Sequence, residues 1–287
     1  MRRGCQYVLW LAAGSLVAGQ VDAVAQNAPK AGQPAAARPA VAPDQNRMKI
    51  LLQHWEEQST KLKSLDVKMR RVDTMAGWPD EVYEGRAILQ TPNLAWLNFQ
   101  KVVADPKQPG KKVLKDHERI VCTGTEVWQY RSDAKQIFIF PLERQQQKRA
   151  LEEGPLPFLF NMRAAEAEAR YEMNLMNENA QFFVISVRPK LKIDLESFSK
   201  AVIRLDRKTF LPDRIFLLSP NGKDSKDFTL RDIMPNAKVA AANFVGKPIG
   251  PPWAIVKDPG DQQVAPPAAG IGNRQAPPAA GNAPRRR

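Results

Sequence analysis

The 287-residue chain has 43 Lys and Arg against 30 Asp and Glu, a formal net charge of +13, and 43% hydrophobic residues, enough to build a sizeable core. Its basic residues are spread along the chain, and no stripe of Lys and Arg interleaves with stacking aromatics. This argues against nucleic acid as a partner and leaves solubility and weak peripheral attraction to anionic membrane as the reading of the charge. With only two cysteines, Cys5 and Cys122, a disulfide framework is excluded.

The first segment reads as targeting. Arg2 and Arg3 precede an apolar run at 7–17, and Ala23-Val24-Ala25 fits a small-x-small cleavage site before Gln26, so residues 1–25 are expected to be a signal peptide. The apolar run falls short of the about 20 residues of a membrane span, and Cys5 lies ahead of it, where a lipid-modified cysteine is not expected. The mature chain is therefore expected in the periplasm or cell envelope. Cys122 is its single cysteine, and the core holds by burial alone. Residues 26–44 and 258–287 are rich in Ala and Pro with little to bury, the second ending in Arg285-Arg286-Arg287. Both read as disordered tails around one domain at 45–257.

Within the domain, Met48, Leu51, Leu52, Trp55, Leu62 and Leu65 recur at three- and four-residue spacing and predict an amphipathic helix over 45–64, with Glu57 and Lys61 placed for a surface pair. Strand-like segments follow at 66–75, 81–90, 94–103, 118–122, 126–130 and 136–141, separated by Thr91-Pro92-Asn93, by Thr123-Gly124 and by a longer loop at 106–110. Sequential strands joined this way pair as an antiparallel meander. An insert comes next: 142–153 is helix-compatible, Pro155 and Pro157 stop it, Phe158, Leu159, Phe160 and Met162 form an apolar patch, and 164–170 is a short helix. A second meander is predicted from 171–176, 181–188, 200–205, 213–219 and 227–234, with Pro220-Asn221-Gly222 as a strong turn.

Several strands carry apolar residues on both faces. Trp96 opposes Leu97 and Phe99, Trp128 and Tyr130 oppose Val127, and Phe138 and Phe140 oppose Ile137 and Ile139. Two arrangements account for this. The first helix and the insert cover opposite sides of the sheet, or a strongly curved sheet wraps an apolar cavity with the insert as its lid.

No catalytic spacing is present. His54 and His117, the first on the helix and the second placed in a loop, lack partners at metal-ligand spacing. Cys122 reads as a buried thiol, and the acidic pairs Glu152-Glu153 and Glu166/Glu168 read as solvated faces. Neither catalysis, a cofactor nor a metal is expected.

The order of helix, Glu84-Gly85-Arg86-Ala87-Ile88-Leu89, Pro92-Asn93-Leu94-Ala95-Trp96 and Thr123-Gly124-Thr125-Glu126-Val127-Trp128-Gln129-Tyr130, followed by an apolar insert, resembles the periplasmic lipoprotein-carrier (LolA-like) superfamily. Pro155-Leu-Pro-Phe-Leu-Phe160, Arg188-Pro-Lys-Leu191 and Leu205-Asp-Arg-Lys-Thr-Phe-Leu-Pro212 are similar to an uncharacterised exported domain family of planctomycete bacteria. The resemblance covers 45–256 and implies an α+β fold, an incomplete, strongly curved antiparallel β-barrel with an N-terminal helix and a short helical insert as lid. It also implies a non-enzymatic hollow for a lipid, a lipoprotein acyl chain or an envelope protein. Lining candidates are Trp96, Trp128, Phe138, Phe140, Phe158 and Phe160. One position departs from the pattern: Thr91 stands where carriers often have a basic residue before Pro-Asn.

Overall fold

The computed structural model describes residues 45–142, 156–160 and 162–257. The expected signal peptide, both tails and the stretch 143–155, with Glu152, Glu153 and Pro155, lie outside these.

Helix α1 (Gln45–Ser59) is shorter than its apolar pattern. After Ser59 the amide of Lys61 reaches the carbonyl of Gln58 and that of Leu62 reaches Ser59, so the chain tightens into turns before Leu65 enters the sheet. With the helix ended, Lys61 Nζ donates to Gln58 Oε1 at 3.1 Å in place of the expected pairing with Glu57.

Six strands follow: β1 (Ser64–Thr74), β2 (Glu81–Gln90), β3 (Leu94–Ala104), β4 (Lys112–Cys122), β5 (Glu126–Arg131) and β6 (Gln136–Pro141). Beyond the insert, with its short helices α2 (Leu156–Leu159) and α3 (Ala164–Arg170), come β7 (Tyr171–Glu178), β8 (Phe182–Pro189), helix α4 (Lys192–Leu195), β9 (Lys200–Asp206), β10 (Pro212–Leu218) and β11 (Ser225–Pro235). A 3-10 turn (Ala241–Phe244) and β12 (Ala254–Lys257) complete the described chain. Pro157 lies inside α2, where a first-turn position needs no amide donor and proline is tolerated; the helix expected at 142–153, which Pro155 and Pro157 were to stop, lies outside the described residues. His117 lies within β4, which begins six residues before the expected 118, and not in a loop.

Among the described residues, all twelve strands form one open sheet in the order β12-β6-β5-β4-β3-β2-β1-β11-β10-β9-β8-β7. The two expected meanders are present, and an antiparallel pairing of β1 with β11 joins them side by side. The fold is thus an α+β half-barrel, an unclosed, antiparallel-rich curved sheet with few helices.

Alternation assigns the two faces. Leu65, Val67 and Met69 on β1, Leu89 and Ala87 on β2, Ala95, Leu97 and Phe99 on β3, and Ile120 and Cys122 on β4 form the inner face and cluster with Met48, Leu51, Leu52 and Trp55 of α1. Phe158, Leu159, Phe160 and Met162 join this same cluster, and the Ala164 amide donates to Glu56 Oε2 of α1 at 3.3 Å. Helix and insert therefore share one side of the sheet, which corrects the arrangement that set them on opposite faces. Over β3 to β6 the outer face is covered by the chain's own C-terminal segment, which crosses it before β12 adds a parallel pairing to the free side of β6.

Candidate functional site

The six lining candidates divide between the faces. Phe138, Phe140, Phe158 and Phe160 lie on the inner face, each no more than 8% exposed. Phe138 and Phe140 stack at 6.4 Å between ring centroids, the usual result of placing two aromatics at successive same-face positions of a strand. Phe158 is held by Tyr171 at 5.4 Å and Phe198 at 6.4 Å, which carries the insert onto the start of β7. A bidentate pair fixes that junction, Arg170 Nε and Nη2 donating to the two oxygens of Asp194 at 3.1 and 2.5 Å.

Trp96 and Trp128 lie on the outer face with Val121, Tyr130, Ile137, Ile139 and Trp253. Trp96, Val121, Trp128 and Ile139 are consecutive cross-strand partners, so their side chains share one row on the side away from α1. The C-terminal segment clamps this row. Tyr130 Oη donates to the Lys247 carbonyl at 3.0 Å and accepts from the Lys247 amide at 2.8 Å. Gly246 lies so close to the Trp128 ring that a Cβ there would fall 2.3 Å from it.

Toward the far end of β1 the inner face changes character. Following the phase of Val67 and Met69, Arg71 points inward and is 1% exposed. Its guanidinium stands 4.1 Å from the Tyr83 centroid and 4.9 Å from that of Phe99, and its Nε lies 2.9 Å from Asp73 Oδ1. Gly85 makes room for the Phe99 ring: a Cβ at that position would sit 2.6 Å from Phe99 Cδ1. Glu118, the cross-strand partner of Phe99, is also buried and accepts from Gln129 Nε2 at 2.6 Å through Oε1. Lys226 faces Asp73 across the β1–β11 pairing, and Tyr83 donates to Glu81 Oε2 at 2.5 Å while Lys101 also reaches Glu81.

Burial shapes the electrostatics of this cluster. It pushes the Asp73 and Glu118 carboxyls up, with the nearby Arg71 charge opposing it in both, and lowers Lys226 to about 8. His117, tilted against Tyr83 at 4.7 Å between ring centroids, is lowered to about 4 by burial and then by the Arg71 charge. None of this cluster was among the sequence candidates. The one hint was that Arg71 falls in the phase of Leu65, Val67 and Met69, too weak alone to mark a charged residue as buried.

The remaining chemistry-bearing residues stay apart. Cys122 is buried, donates from Sγ to the Asn93 carbonyl at 3.0 Å, and burial raises its thiol above the ordinary range. His54 packs edge-on against Phe210, and Glu166 pairs with Arg170 one helical turn on. Among the described residues no three His, Cys, Asp or Glu side chains converge as metal ligands do, and no helix is long and apolar enough to cross a membrane.

A family model described as outer membrane lipoprotein carrier protein LolA matches residues 112–247. The match takes in the strands from β4 to β11 and leaves out α1 and the Pro92-Asn93-Leu94-Ala95-Trp96 stretch. No curated protein matches the chain. Among solved structures, an uncharacterized conserved protein from Thermus thermophilus is similar at 15% identity and TM-score 0.43, over 74% of this chain and 99% of that one. A LolA superfamily protein from Nitrosomonas europaea is similar at 10% identity and TM-score 0.32, over 68% and 97%. The Pseudomonas aeruginosa MucA/MucB complex is similar at 14% identity and TM-score 0.37, over 70% and 61%.

Proposed function

We propose that this protein is a non-enzymatic exported binding protein that holds a lipid, or the acyl chain of a lipoprotein, against the inner face of its half-barrel in the periplasm or cell envelope. The observation that carries the reading is the way that face is closed. Phe158, Leu159, Phe160 and Met162 of the insert sit on a continuous apolar surface that includes Phe138, Phe140, Leu97 and Ile120, and burial holds them there. An acyl chain offers the same kind of surface at roughly 0.8 kcal/mol per methylene buried, so it can enter between the insert and the sheet and exchange their contacts for its own, with the insert closing over it. The match to a lipoprotein-carrier model over 112–247 supports the same reading. In this proposal the four inner-face phenylalanines line the ligand, while Trp96 and Trp128 stabilise the outer face.

Native mass spectrometry of the protein recovered from the envelope, with organic extraction of whatever it releases, tests the proposal. A bound lipid or acylated species is the expected result. Bare protein that also fails to take up acyl probes sinks it.

A second reading has one observation in its favour. Among the described residues β7 ends the sheet with one side unpaired, and Met176 on it is 57% exposed, so a partner polypeptide could add as a further strand. Loss of partner capture on placing a proline in β7, with lipid content unchanged, is the outcome that would favour it.

A further inference from the structure

The charged end of the inner face has a feature that ion pairing leaves unexplained. Arg71 Nη1 and Glu118 Oε2 are both buried and have no hydrogen-bond partner among the described residues. One is a donor and the other an acceptor. They belong to one cluster: Arg71 lies over the Phe99 ring, Glu118 is the cross-strand partner of Phe99, and the Arg71 charge acts on the Glu118 carboxyl. Buried polar groups in folded proteins are ordinarily satisfied, and two orphans of opposite kind at the end of an apolar surface form a complementary pair.

We propose that Arg71 and Glu118 form a polar subsite for a secondary amide joined to an acyl chain, its carbonyl accepting from Arg71 Nη1 and its N–H donating to Glu118 Oε2. This deepens the acyl-binding reading and rests on it. An ester fills the acceptor role and leaves Glu118 Oε2 unsatisfied. A carboxylate satisfies Arg71 but brings its charge against Glu118 and Asp73. A plain hydrocarbon leaves both orphans as they are. The flat guanidinium, packed against the rings of both Tyr83 and Phe99, is held ready to present its Nη1 hydrogen, so the discrimination costs little ordering on binding.

The test compares N-methylhexadecanamide, methyl hexadecanoate and hexadecanoate as displacers of an apolar fluorescent dye from the full chain. The amide is expected to bind about tenfold more tightly than its ester, the worth of one hydrogen bond to a charged group. In Glu118→Leu the amide should fall to the ester's affinity, with the ester unchanged and the thermal melt still cooperative. Because Glu118 is buried and its replacement risks the fold, the wild-type ranking stands as a test without it. Equal affinity for amide and ester, or tightest binding of the carboxylate, overturns the subsite while leaving the apolar reading intact. Failure of the dye and all three compounds to bind removes the acyl-binding reading itself, and the subsite with it.

Discussion

Arg71 owes its position to two neighbours that are small or flat. The missing Cβ of Gly85 lets Phe99 lie across β2, and the Phe99 ring in turn lies against the guanidinium. A methyl at Gly85 meets both the Phe99 ring and, at 2.9 Å, the Asn98 backbone carbonyl, which has little room to yield. Gly85→Ala is therefore expected to destabilise by about 1–3 kcal/mol in urea unfolding, and pairing it with Phe99→Leu should recover only the part due to the ring. His117 gives a pH signature. Its folded pKa of about 4 lies below the ordinary 6.5, so between these values the unfolded chain binds more protons and the His117 contribution to stability rises with pH, levelling off above about 6.5. The raised carboxyls of Asp73 and Glu118 act in the opposite sense, and the lowered Glu81 in the same sense as His117, so the difference between wild type and His117→Gln isolates the His117 contribution. That difference should climb from about pH 4 to 6.5 and stay flat from there to about pH 8. A falling difference over the first interval would contradict the assignment. At this scale the sequence was legible for Cys122, whose alternation marked it as buried, and illegible for Arg71 and Glu118, because a charged residue on a strand is ordinarily turned to solvent.

At the scale of elements, the C-terminal segment determines what the outer tryptophans face. It is held at Lys247 by both hydrogen bonds to Tyr130 and at Gly246 by ring contact with Trp128. Tyr130→Phe should cost about 1–2 kcal/mol in thermal unfolding, since two backbone groups lose their shared partner. Gly246→Val has no space against the Trp128 ring and should lift the segment, seen as a red shift of tryptophan emission and freer quenching by acrylamide. An unchanged spectrum would show the segment to be more loosely seated than the structure has it. The sequence revealed most strands because their alternation and turns are local. It did not reveal β12, where four residues after Pro251-Pro252 become a strand only by parallel pairing with β6, far away in the chain. For the same reason alternation separated the two faces of each strand but not which strand's face aligns with its neighbour's across the sheet. The six aromatics therefore looked like one lining until the register placed Trp96 and Trp128 in a row of their own.

For the molecule as a whole, the pairing of β1 with β11 sets the architecture. Each meander follows from neighbouring strands and was readable from them, whereas this junction joins segments separated by most of the domain and has no local signature. Its register is continuous from Lys68 to Thr74, with one irregularity at Asp66/Lys68, and both strands present their apolar residues to the inner cluster. Hydrogen exchange should therefore find the β1 and β11 amides as protected as those inside either meander, with β7 and β12 at the two sheet ends exchanging first. Early exchange at the junction would instead make the two meanders separately opening units. The same pairing governs the order in which the structure can be made. The first strand synthesised occupies the middle of the finished sheet, and one of its flanks stays bare until Ser225–Pro235 has been produced. Every growing chain thus carries an open, half-apolar strand through nearly its entire synthesis, and a chain cut short before β11 is left with that flank available to any other strand it meets.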